Sequence, residues 1–391
     1  MLDAEPACLL ELRKFVSPEV VFGAGARRLA GRYAKNYGAR RVLLVSDPGV
    51  VAAGWATEAA RSLEEATLPF SLFTSVTANP RSEEVMAGAE LYRADGCDVI
   101  VAVGGGSVID CAKAIGIVST NRRDIREFEG VDQVPVPMPP LLCVPTTGGT
   151  SADVSQFAII TNLAARTKIA IVSKAVVPDL SLVDPVTLTT MDPFLAACTG
   201  IDALVHAIEA FVSNAHSPLT DLHALQAVRL LCASLLPSLR APQNLALRGQ
   251  VMLGSLEAGL AFSNASLGVV HAMSHSLGGL LDLPHGECNA VLLRHVLPFN
   301  FPAARERFVA IGEAMGLKRS RLGATEGAAA LIEATDELRR AAGLEARLSP
   351  RGVRKSDVPE LAEQAIHDVC AVTNPRRANR RDLEVIYEEA L

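Results

Sequence analysis

The stretch DVIVAVGGGSVIDCAKAIGI, residues 98–117, decides the fold. Its first part, Asp98–Val103, is a run of mostly β-branched and apolar residues that predicts a buried strand, and Val108–Ile117 predicts a helix. The turn between them, Gly104–Ser107, places several backbone N–H groups at the positive end of that helix, where the missing β-carbons let a phosphate approach the backbone. The turn therefore predicts a pyrophosphate site. GGGS matches neither GxGxxG nor GxxxxGK[ST], so a plain tight turn is the alternative.

The same alternation of short apolar runs and helical segments extends over residues 40–185. Arg41–Ser46 and Phe70–Phe73 predict further strands, and Ala52–Glu65 and Ser82–Arg93 predict helices. Strands that are apolar nearly throughout and alternate strictly with helices are typical of a parallel sheet covered on both faces. The first half is therefore predicted to be α/β.

The second half shows helical patterns only, after the breaks at Asp184-Pro185 and Asp192-Pro193. The predicted helices are Pro193–Phe211, Leu219–Leu235, Leu245–Phe262, Leu267–Leu281, Ala303–Met315 and Ala324–Ala342. We expect an α/β domain over residues 1–187 and an all-α helical domain over residues 188–391.

Composition narrows the functional classes. The chain of 391 residues carries 37 Lys and Arg against 43 Asp and Glu, a net charge of −6, which argues against a nucleic-acid binder. The eight cysteines form no CxxC pairs and the N-terminus has no secretory pattern, so we expect reduced thiols in a cytoplasmic protein. Ala258–Leu281 has no charged residue but several polar ones, which predicts a buried helix of a soluble core and no membrane span.

Two further features of the first half suit a nucleotide. The loop Pro145–Asp153, rich in glycine and threonine, follows the apolar run Leu141–Val144, and its hydroxyls and exposed backbone suit a ribose or phosphate, although a bare loop of this kind can be an ordinary turn. Asp47 directly follows a predicted strand, where doubly wound folds commonly place an acid on the adenosine ribose. Asp110, in the first helical turn after the glycines, can cap N–H groups or accept a ligand hydroxyl. Together these features favour a dinucleotide over a mononucleotide.

The histidines point to a metal. All eight lie beyond residue 205. Asp202 and His206 are four residues apart, as are His271 and His275, so each pair shares one face of a predicted helix, and His285 follows shortly after. A lone helical histidine is more often a core residue. One carboxylate with several imidazoles on otherwise apolar helices can hold a divalent transition metal.

Four strings carry a family resemblance: GGGSVIDCAK, PTTGGTSADVS, TGIDALVHAIE and SLGVVHAMSHSLGGLLDLPHGECNA. In order and spacing they resemble the iron-containing (group III) alcohol dehydrogenases, and Val183–Pro185 and Thr373–Arg376 fit the flanks. The resemblance implies a dehydroquinate synthase-like architecture, in which a Rossmann-like NAD(P) domain and a helical domain share an active-site cleft. It implies reversible hydride transfer between a small alcohol or aldehyde and nicotinamide, with the help of a divalent metal, Fe(II) before Zn(II). Relatives are dimers or larger, so a homo-oligomer is expected.

The resemblance also assigns residues, position by position. The metal ligands would be Asp202, His206, His271 and His285, with His275 beside the metal as the catalytic residue. The positions that match the dinucleotide site are Asp47, Asn79, Gly104, Gly105, Gly106, Ser107, Asp110, Thr146, Thr147, Thr150 and Lys168. Asp47 matches the acid that accepts the ribose hydroxyls and would repel a 2′-phosphate, which favours NAD over NADP.

The chain departs from its relatives at the cleft wall. Phe157 stands where the propanediol-forming members carry an asparagine, and Gly149–Asp153 differs from the usual loop, so the resemblance leaves the substrate open. We expect an apolar lining, made by Leu267, Val270, Met273 and Leu277, that favours a small alcohol or aldehyde.

Several rival functions share this fold. A hydroxyacid or polyol oxidoreductase is the alternative, including metal-free enzymes like maleylacetate reductase, which the four retained ligand positions disfavour. A dehydroquinate synthase-like lyase needs many basic phosphate contacts, whereas Thr199–Asn289 contains only Arg229, Arg240 and Arg248. A regulatory protein without catalysis would have broken motifs, and these are intact.

Overall fold

The computed structural model describes residues 12–322 and 327–391. Cys8 and the start of the predicted helix Ala324–Ala342 lie outside the described residues.

The first half contains the predicted parallel sheet. Its strands are β1 (Glu19–Phe22), β2 (Val42–Val45), β3 (Phe70–Phe73), β4 (Val99–Gly104), β5 (Gly130–Val131), β6 (Leu141–Pro145), β7 (Phe157–Asn162), β8 (Thr167–Val172) and β9 (Leu180–Val183). Its helices are α1 (Ala30–Asn36), α2 (Pro48–Ala52), α3 (Trp55–Glu65), α4 (Ser82–Ala94) and α5 (Gly106–Asn121). Six strands pair in the order β1-β9-β6-β4-β2-β3, and every pairing is parallel.

Both faces of this sheet are covered, because successive side chains of a strand point to opposite sides. In β4, Val101 packs in the core cluster that includes Leu63 of α3, whereas Ile100 packs in the cluster that includes Ile115 of α5. Both β4 residues are fully buried. The continuous apolar runs of the sequence reflect this two-sided burial.

The order of the strands creates a crevice. From β2 the chain moves outward to β3, and then returns to β4 on the other side of β2 and continues to β6. The carboxyl ends of β2, β4 and β6 are therefore neighbours at the point where the direction of winding reverses, which is where doubly wound sheets bind ligands. Asp47, Gly105–Ser107 and Thr146–Thr150 follow these three ends.

Strict alternation fails after β6. β7 and β8 form an antiparallel hairpin, with Asn162 opposite Thr167, and belong to a separate sheet of order β5-β8-β7. The connection between them is too short for the crossover that a parallel pair needs. The strands β1, β5 and β9 were also not predicted.

The second half is helical, as predicted. It contains α6 (Pro193–Val212), α7 (Pro218–Arg240), α8 (Leu245–Ala265), α9 (Val269–Leu281), α10 (His285–Asn300), α11 (Arg305–Ala314), α12 (Gly327–Ala341), α13 (Val358–His367) and α14 (Arg380–Ala390). Three of these, α10, α13 and α14, were not predicted. The predicted helices Leu245–Phe262 and Leu267–Leu281 are α8 and α9, so the buried stretch Ala258–Leu281 is not a single helix: Ser266, with a φ of 60°, separates the two.

Two helices of the described residues, α6 and α7, are long and apolar enough to cross a membrane by length and composition alone. The apolar window is 94% buried in α6 and 39% buried in α7. Core helices pass the same test, and α6 is a core helix that packs against α7, α8 and α10.

Candidate active site

Two adjoining cavities lie between the sheet and the helical half. The larger, of about 830 Å³, runs along the carboxyl edge of the sheet, and the smaller, of about 130 Å³, lies beside the histidines. Six residues line both cavities: Asn79, Gly106, Ser107, Thr150, Asp202 and His285. The larger cavity therefore leads into the smaller one.

Most predicted dinucleotide residues line these cavities. Asp47, Gly105, Thr146 and Thr147 line the larger one, and Asp110 and Lys168 line the smaller one. Gly104 lines neither; it ends β4, and a β-carbon there would lie 2.5 Å from the side chain of Val108. Glycine at this position therefore leaves room for the side chain of Val108 in the turn.

The two glycine loops are in contact. A β-carbon at Gly106 would lie 2.7 Å from Oγ1 of Thr150, and one at Gly105 would lie 3.0 Å from Cγ2 of Thr147. The close approach at Gly106 excludes a larger residue unless the neighbouring loop moves. The same contact holds the two sets of backbone groups and hydroxyls on one wall.

Asn79 links the sheet half to the helical half. Its Oδ1 accepts a hydrogen bond of 2.7 Å from Nζ of Lys168, and its Nδ2 donates one of 2.7 Å to Asp282, just beyond α9. Asn79 adopts a left-handed φ of 56°, which asparagine tolerates better than most residues. Burial lowers the pKa of Lys168.

Asp110 lines the small cavity. Its Oδ2 accepts a hydrogen bond of 3.3 Å from the backbone N–H of Ile159. Burial raises its pKa to about 6, even though Lys113 acts in the opposite direction. The carboxyl group therefore takes up a proton at a higher pH than an ordinary aspartate does.

The four predicted metal ligands converge. Asp202, His206, His271 and His285 each present one ligand atom, and these atoms lie within 4.8 Å of one another. Oδ1 of Asp202 is 3.9 Å from Nε2 of His206, 3.6 Å from Nε2 of His271 and 3.7 Å from Nε2 of His285. The ligands on α6, Asp202 and His206, meet His271 of α9 because each helix turns its polar face toward the same point.

The charges of this cluster suit a cation. Burial acts to raise the pKa of Asp202, but its contacts with the three histidines together outweigh it and hold that pKa well below its usual range. Burial lowers the pKa of His206 to about 3 and that of His285 well below its usual value, so both rings are neutral. Burial acts to lower the pKa of His271, but Asp202 and Glu209 raise it to about 9. A metal would displace the proton that Asp202 and Glu209 hold on His271, and one carboxylate with three neutral imidazoles is then a donor set that fits Fe(II) or Zn(II).

Two further residues contact these ligands and were not predicted. Nδ2 of Asn289 lies 2.7 Å from Oδ1 of Asp202, and Oε2 of Glu209 lies 2.6 Å from Nδ1 of His271. Glu209 follows His206 by three residues, so the helical spacing could have revealed it. Asn289 follows His285 by four residues on α10, a helix that was not predicted.

His275 lines the small cavity beside the ligand cluster, and its ring stacks on that of His285 with centroids 5.2 Å apart. Its Nδ1 lies 2.8 Å from Oδ2 of Asp368. Burial acts to raise the pKa of Asp368, but His275 outweighs it and lowers that pKa. Asp368 is therefore an anion that accepts the Nδ1–H of His275.

The apolar wall of the small cavity differs from the prediction. Leu267 lines it, but Val270, Met273 and Leu277 do not, because they lie on faces of α9 away from His271 and His275 and are buried in the core. The aromatic residues of the wall are Phe157 and Phe262, whose ring centroids are 5.8 Å apart.

A buried lysine supports this wall. Nζ of Lys113, which is fully buried, donates hydrogen bonds to the backbone oxygens of Phe157, at 2.7 Å, and Ser155, at 2.8 Å. The lysine of the GGGSVIDCAK string thus fixes the segment that enters β7. Its role was not predicted.

Comparisons with known proteins agree with this geometry. Residues 17–185 match the family described as iron-containing alcohol dehydrogenase, and residues 196–391 match the C-terminal region of the Fe-containing alcohol dehydrogenase family. The chain is 39% identical to 1,3-propanediol dehydrogenase of Citrobacter freundii, over 94% of this chain and 96% of that protein. It is 35% identical to the NAD-dependent methanol dehydrogenase of Bacillus methanolicus, over 96% of this chain and 99% of that protein.

The fold agrees as well. The crystal structure of a 1,3-propanediol oxidoreductase superimposes with a TM-score of 0.94 at 37% identity, covering 97% of this chain and all of that one. The predicted fold class and family are confirmed. The chain is a metal-dependent, NAD-linked alcohol dehydrogenase or aldehyde reductase, and it belongs to the iron-containing alcohol dehydrogenase family.

Proposed function

We propose that this enzyme interconverts small monohydric alcohols and their aldehydes, with NAD(H) in the large cavity and the substrate in the small one. Residues 1–187 would form the dinucleotide domain and residues 188–391 the metal-binding domain. The observation that carries the proposal is the position of Asp202, His206, His271 and His285, whose ligand atoms converge where the large cavity meets the small one.

The donor set fits the metal that the family implies. Asp202, His206, His271 and His285 would hold it, with Fe(II) favoured over Zn(II) by the family. A divalent metal supplies Lewis acidity toward an alcohol or carbonyl oxygen. The buried carboxylate contributes the negative charge, and the histidine rings contribute neutral nitrogen donors.

His275 would move the hydroxyl proton. Because Nδ1 donates to Asp368, Nε2 is the nitrogen left to exchange a proton with the substrate. The negative charge of Asp368 stabilises the imidazolium that forms when His275 accepts a proton. The hydride would pass to the nicotinamide ring, so no protein nucleophile is needed.

Asp47 would select NAD over NADP. It lies at the edge of the large cavity, where its Oδ1 accepts a hydrogen bond of 2.9 Å from the N–H of Val50 at the start of α2. The carboxylate can also accept ribose hydroxyls and would repel a 2′-phosphate. Gly105, Gly106, Ser107, Thr146, Thr147 and Thr150 would contact the pyrophosphate and ribose.

The small cavity favours monohydric substrates. Phe157, Ile159, Phe262 and Leu267 form an apolar wall, and an added hydroxyl against it would lose its hydrogen bonds to water. No arginine lines the small cavity among the described residues, and the lysine that does, Lys168, donates to Asn79, which disfavours carboxylate and phosphate substrates.

We also propose a homodimer or larger assembly in the cytoplasm. The seven cysteines of the described residues are all unpaired, which suits a reducing compartment. Light scattering coupled to size-exclusion chromatography tests the assembly, and a single-chain mass would overturn it.

The substrate proposal is tested by steady-state kinetics with 1-propanol, 1,2-propanediol, 1,3-propanediol and lactate, each with NAD and with NADP. We expect the highest kcat/KM for 1-propanol with NAD. A higher kcat/KM for either diol or for lactate would replace the proposal with a polyol or hydroxyacid oxidoreductase.

A further inference from the structure

Glu209 is a buried carboxylate that touches a metal-ligand candidate without belonging to the ligand set. It lies on α6, three residues after His206, and is 2% exposed. Its Oε2 is 2.6 Å from Nδ1 of His271. An ionised carboxylate can only accept, so Nδ1 of His271 must carry the proton of this hydrogen bond.

The same carboxylate caps the N-terminus of α9. It accepts hydrogen bonds from the backbone N–H groups of Gly268 at 3.1 Å, Val270 at 2.8 Å and His271 at 3.4 Å. These are groups that a helix leaves without an intrahelical partner. Glu209 therefore fixes both the backbone from which His271 projects and the ring itself.

Asn374 completes the set of acceptors at the N-terminus of α9. Its Oδ1 accepts the one remaining N–H of this turn, that of Val269, at 3.2 Å, and its side chain exchanges two hydrogen bonds with Asn300. A β-carbon at Gly268 would lie 2.7 Å from Oε1 of Glu209 and 2.7 Å from Oδ1 of Asn374, so a larger residue here would displace both side chains. This gives Asn374 of the Thr373–Arg376 motif a role at the N-terminus of α9.

We propose that Glu209 is a positioning residue that holds His271 as the Nδ1–H form, with Nε2 directed at Asp202. The inference rests on the ligand set of the proposed function. Carboxylates that accept the second N–H of a metal-bound histidine orient the ring and raise its basicity. Without the carboxylate, the ring of His271 can rotate or carry its proton on Nε2, and both changes remove a metal donor.

The test replaces Glu209 by glutamine, which keeps the size of the side chain but removes its charge, and whose one oxygen cannot accept both from Nδ1–H of His271 and from the N–H of Val270. A matched control exists at Glu257, whose Oε2 lies 2.6 Å from Nδ1 of His223 and which lines neither cavity. The full-length protein is stripped with a chelator, and Zn(II) is titrated in by calorimetry. We expect the Kd for Zn(II) to rise roughly 10- to 100-fold in E209Q and to stay at the wild-type value in E257Q.

Two further readouts separate positioning from mere stability. NADH titration by fluorescence reports whether the metal-free variant keeps its cofactor cleft, and its thermal midpoint reports the fold. A lower midpoint with an unchanged Kd for Zn(II) would overturn the inference, because Glu209 would then be a helix cap alone. If E209Q does not fold, E209D keeps the charge but shortens the side chain, and it must show the same loss of Zn(II) affinity.

The result for the wild-type chain distinguishes the two proposals. Wild-type protein that binds Zn(II) normally, together with E209Q that binds equally well, overturns the positioning role only. Wild-type protein that binds no Zn(II) overturns the ligand set, and the role of Glu209 with it.

Discussion

Nδ1 of His275 lies 2.8 Å from Oδ2 of Asp368, although the two residues are 93 positions apart in the chain. Asp368 precedes the turn Val369–Thr373, and its Oδ1 accepts a hydrogen bond from the N–H of Cys370. The carboxylate is therefore fixed from two sides, and it orients the imidazole beside the ligand cluster.

Replacing His275 by alanine should lower kcat by roughly 100-fold, the lower end of what a general acid or base contributes. Asp368→Asn should lower kcat by roughly tenfold, because asparagine can accept the Nδ1–H without stabilising the imidazolium. Both variants should keep the wild-type metal content, measured by elemental analysis. Unchanged kcat in both variants would remove His275 from the proton path.

Asp47→Asn should relax cofactor selection without loss of stability. Asparagine caps a helix as well as aspartate does, so the hydrogen bond to Val50 survives while the charge is lost. We expect kcat/KM for NADP to rise at least roughly tenfold relative to that for NAD, equivalent to about 1.4 kcal/mol. An unchanged ratio of the two values, with an unchanged thermal midpoint, would show that Asp47 does not contact the ribose.

Patterns in the sequence predicted the features that are formed by residues close together in the chain. The strand, glycine turn and helix over residues 98–117 follow one another along the chain, and the spacing of Asp202 and His206 is set by one helix. The hairpin of β7 and β8 was missed because strict alternation was extended past β6. The helix α10 was missed because Pro284 and Pro298 flank or interrupt its pattern.

Residues brought together by tertiary folding could not be found this way. Asp368 and Asn374 reach α9 from the C-terminal part of the chain, and no spacing rule links them to His275 or Gly268. Glu209 is the exception, since it shares a helical face with Asp202 and His206.

Phe157 should control the choice between alcohols and diols. Phe157→Asn places a polar amide in the apolar wall, so kcat/KM for 1,2-propanediol should rise relative to that for 1-propanol, by roughly tenfold if the added hydroxyl gains one good hydrogen bond. Phe157→Leu is the matched control, which changes the size but not the polarity, and it should leave diols disfavoured. If the ratio of kcat/KM for 1,2-propanediol to kcat/KM for 1-propanol is the same in F157N and F157L, the side chain at position 157 does not contact the second hydroxyl.

Asp110 should make stability depend on pH. Its pKa is raised to about 6 by burial, above the ordinary value of about 3.9 in an unfolded chain, so the folded state binds this proton more tightly. The free energy of unfolding therefore loses up to about 3 kcal/mol as pH rises through this range, and Asp110→Asn should remove that loss. This loss in the free energy of unfolding is measured by denaturant titrations at pH 4.5 and pH 7.5, on metal-free protein without cofactor. A stability difference between wild type and D110N that is the same at both pH values would contradict the assignment.

The central claim is that the ligands on α6, α9 and α10 hold a metal that alcohol oxidation requires. The direct test strips the protein with a chelator, confirms by fluorescence that NADH still binds, and follows NADH formation from 1-propanol and NAD after reloading with Fe(II), Zn(II) or no metal. The account predicts no turnover without metal and recovery with Fe(II) at one ion per chain. Stripped protein that oxidises 1-propanol as fast as the Fe(II)-loaded enzyme would contradict it.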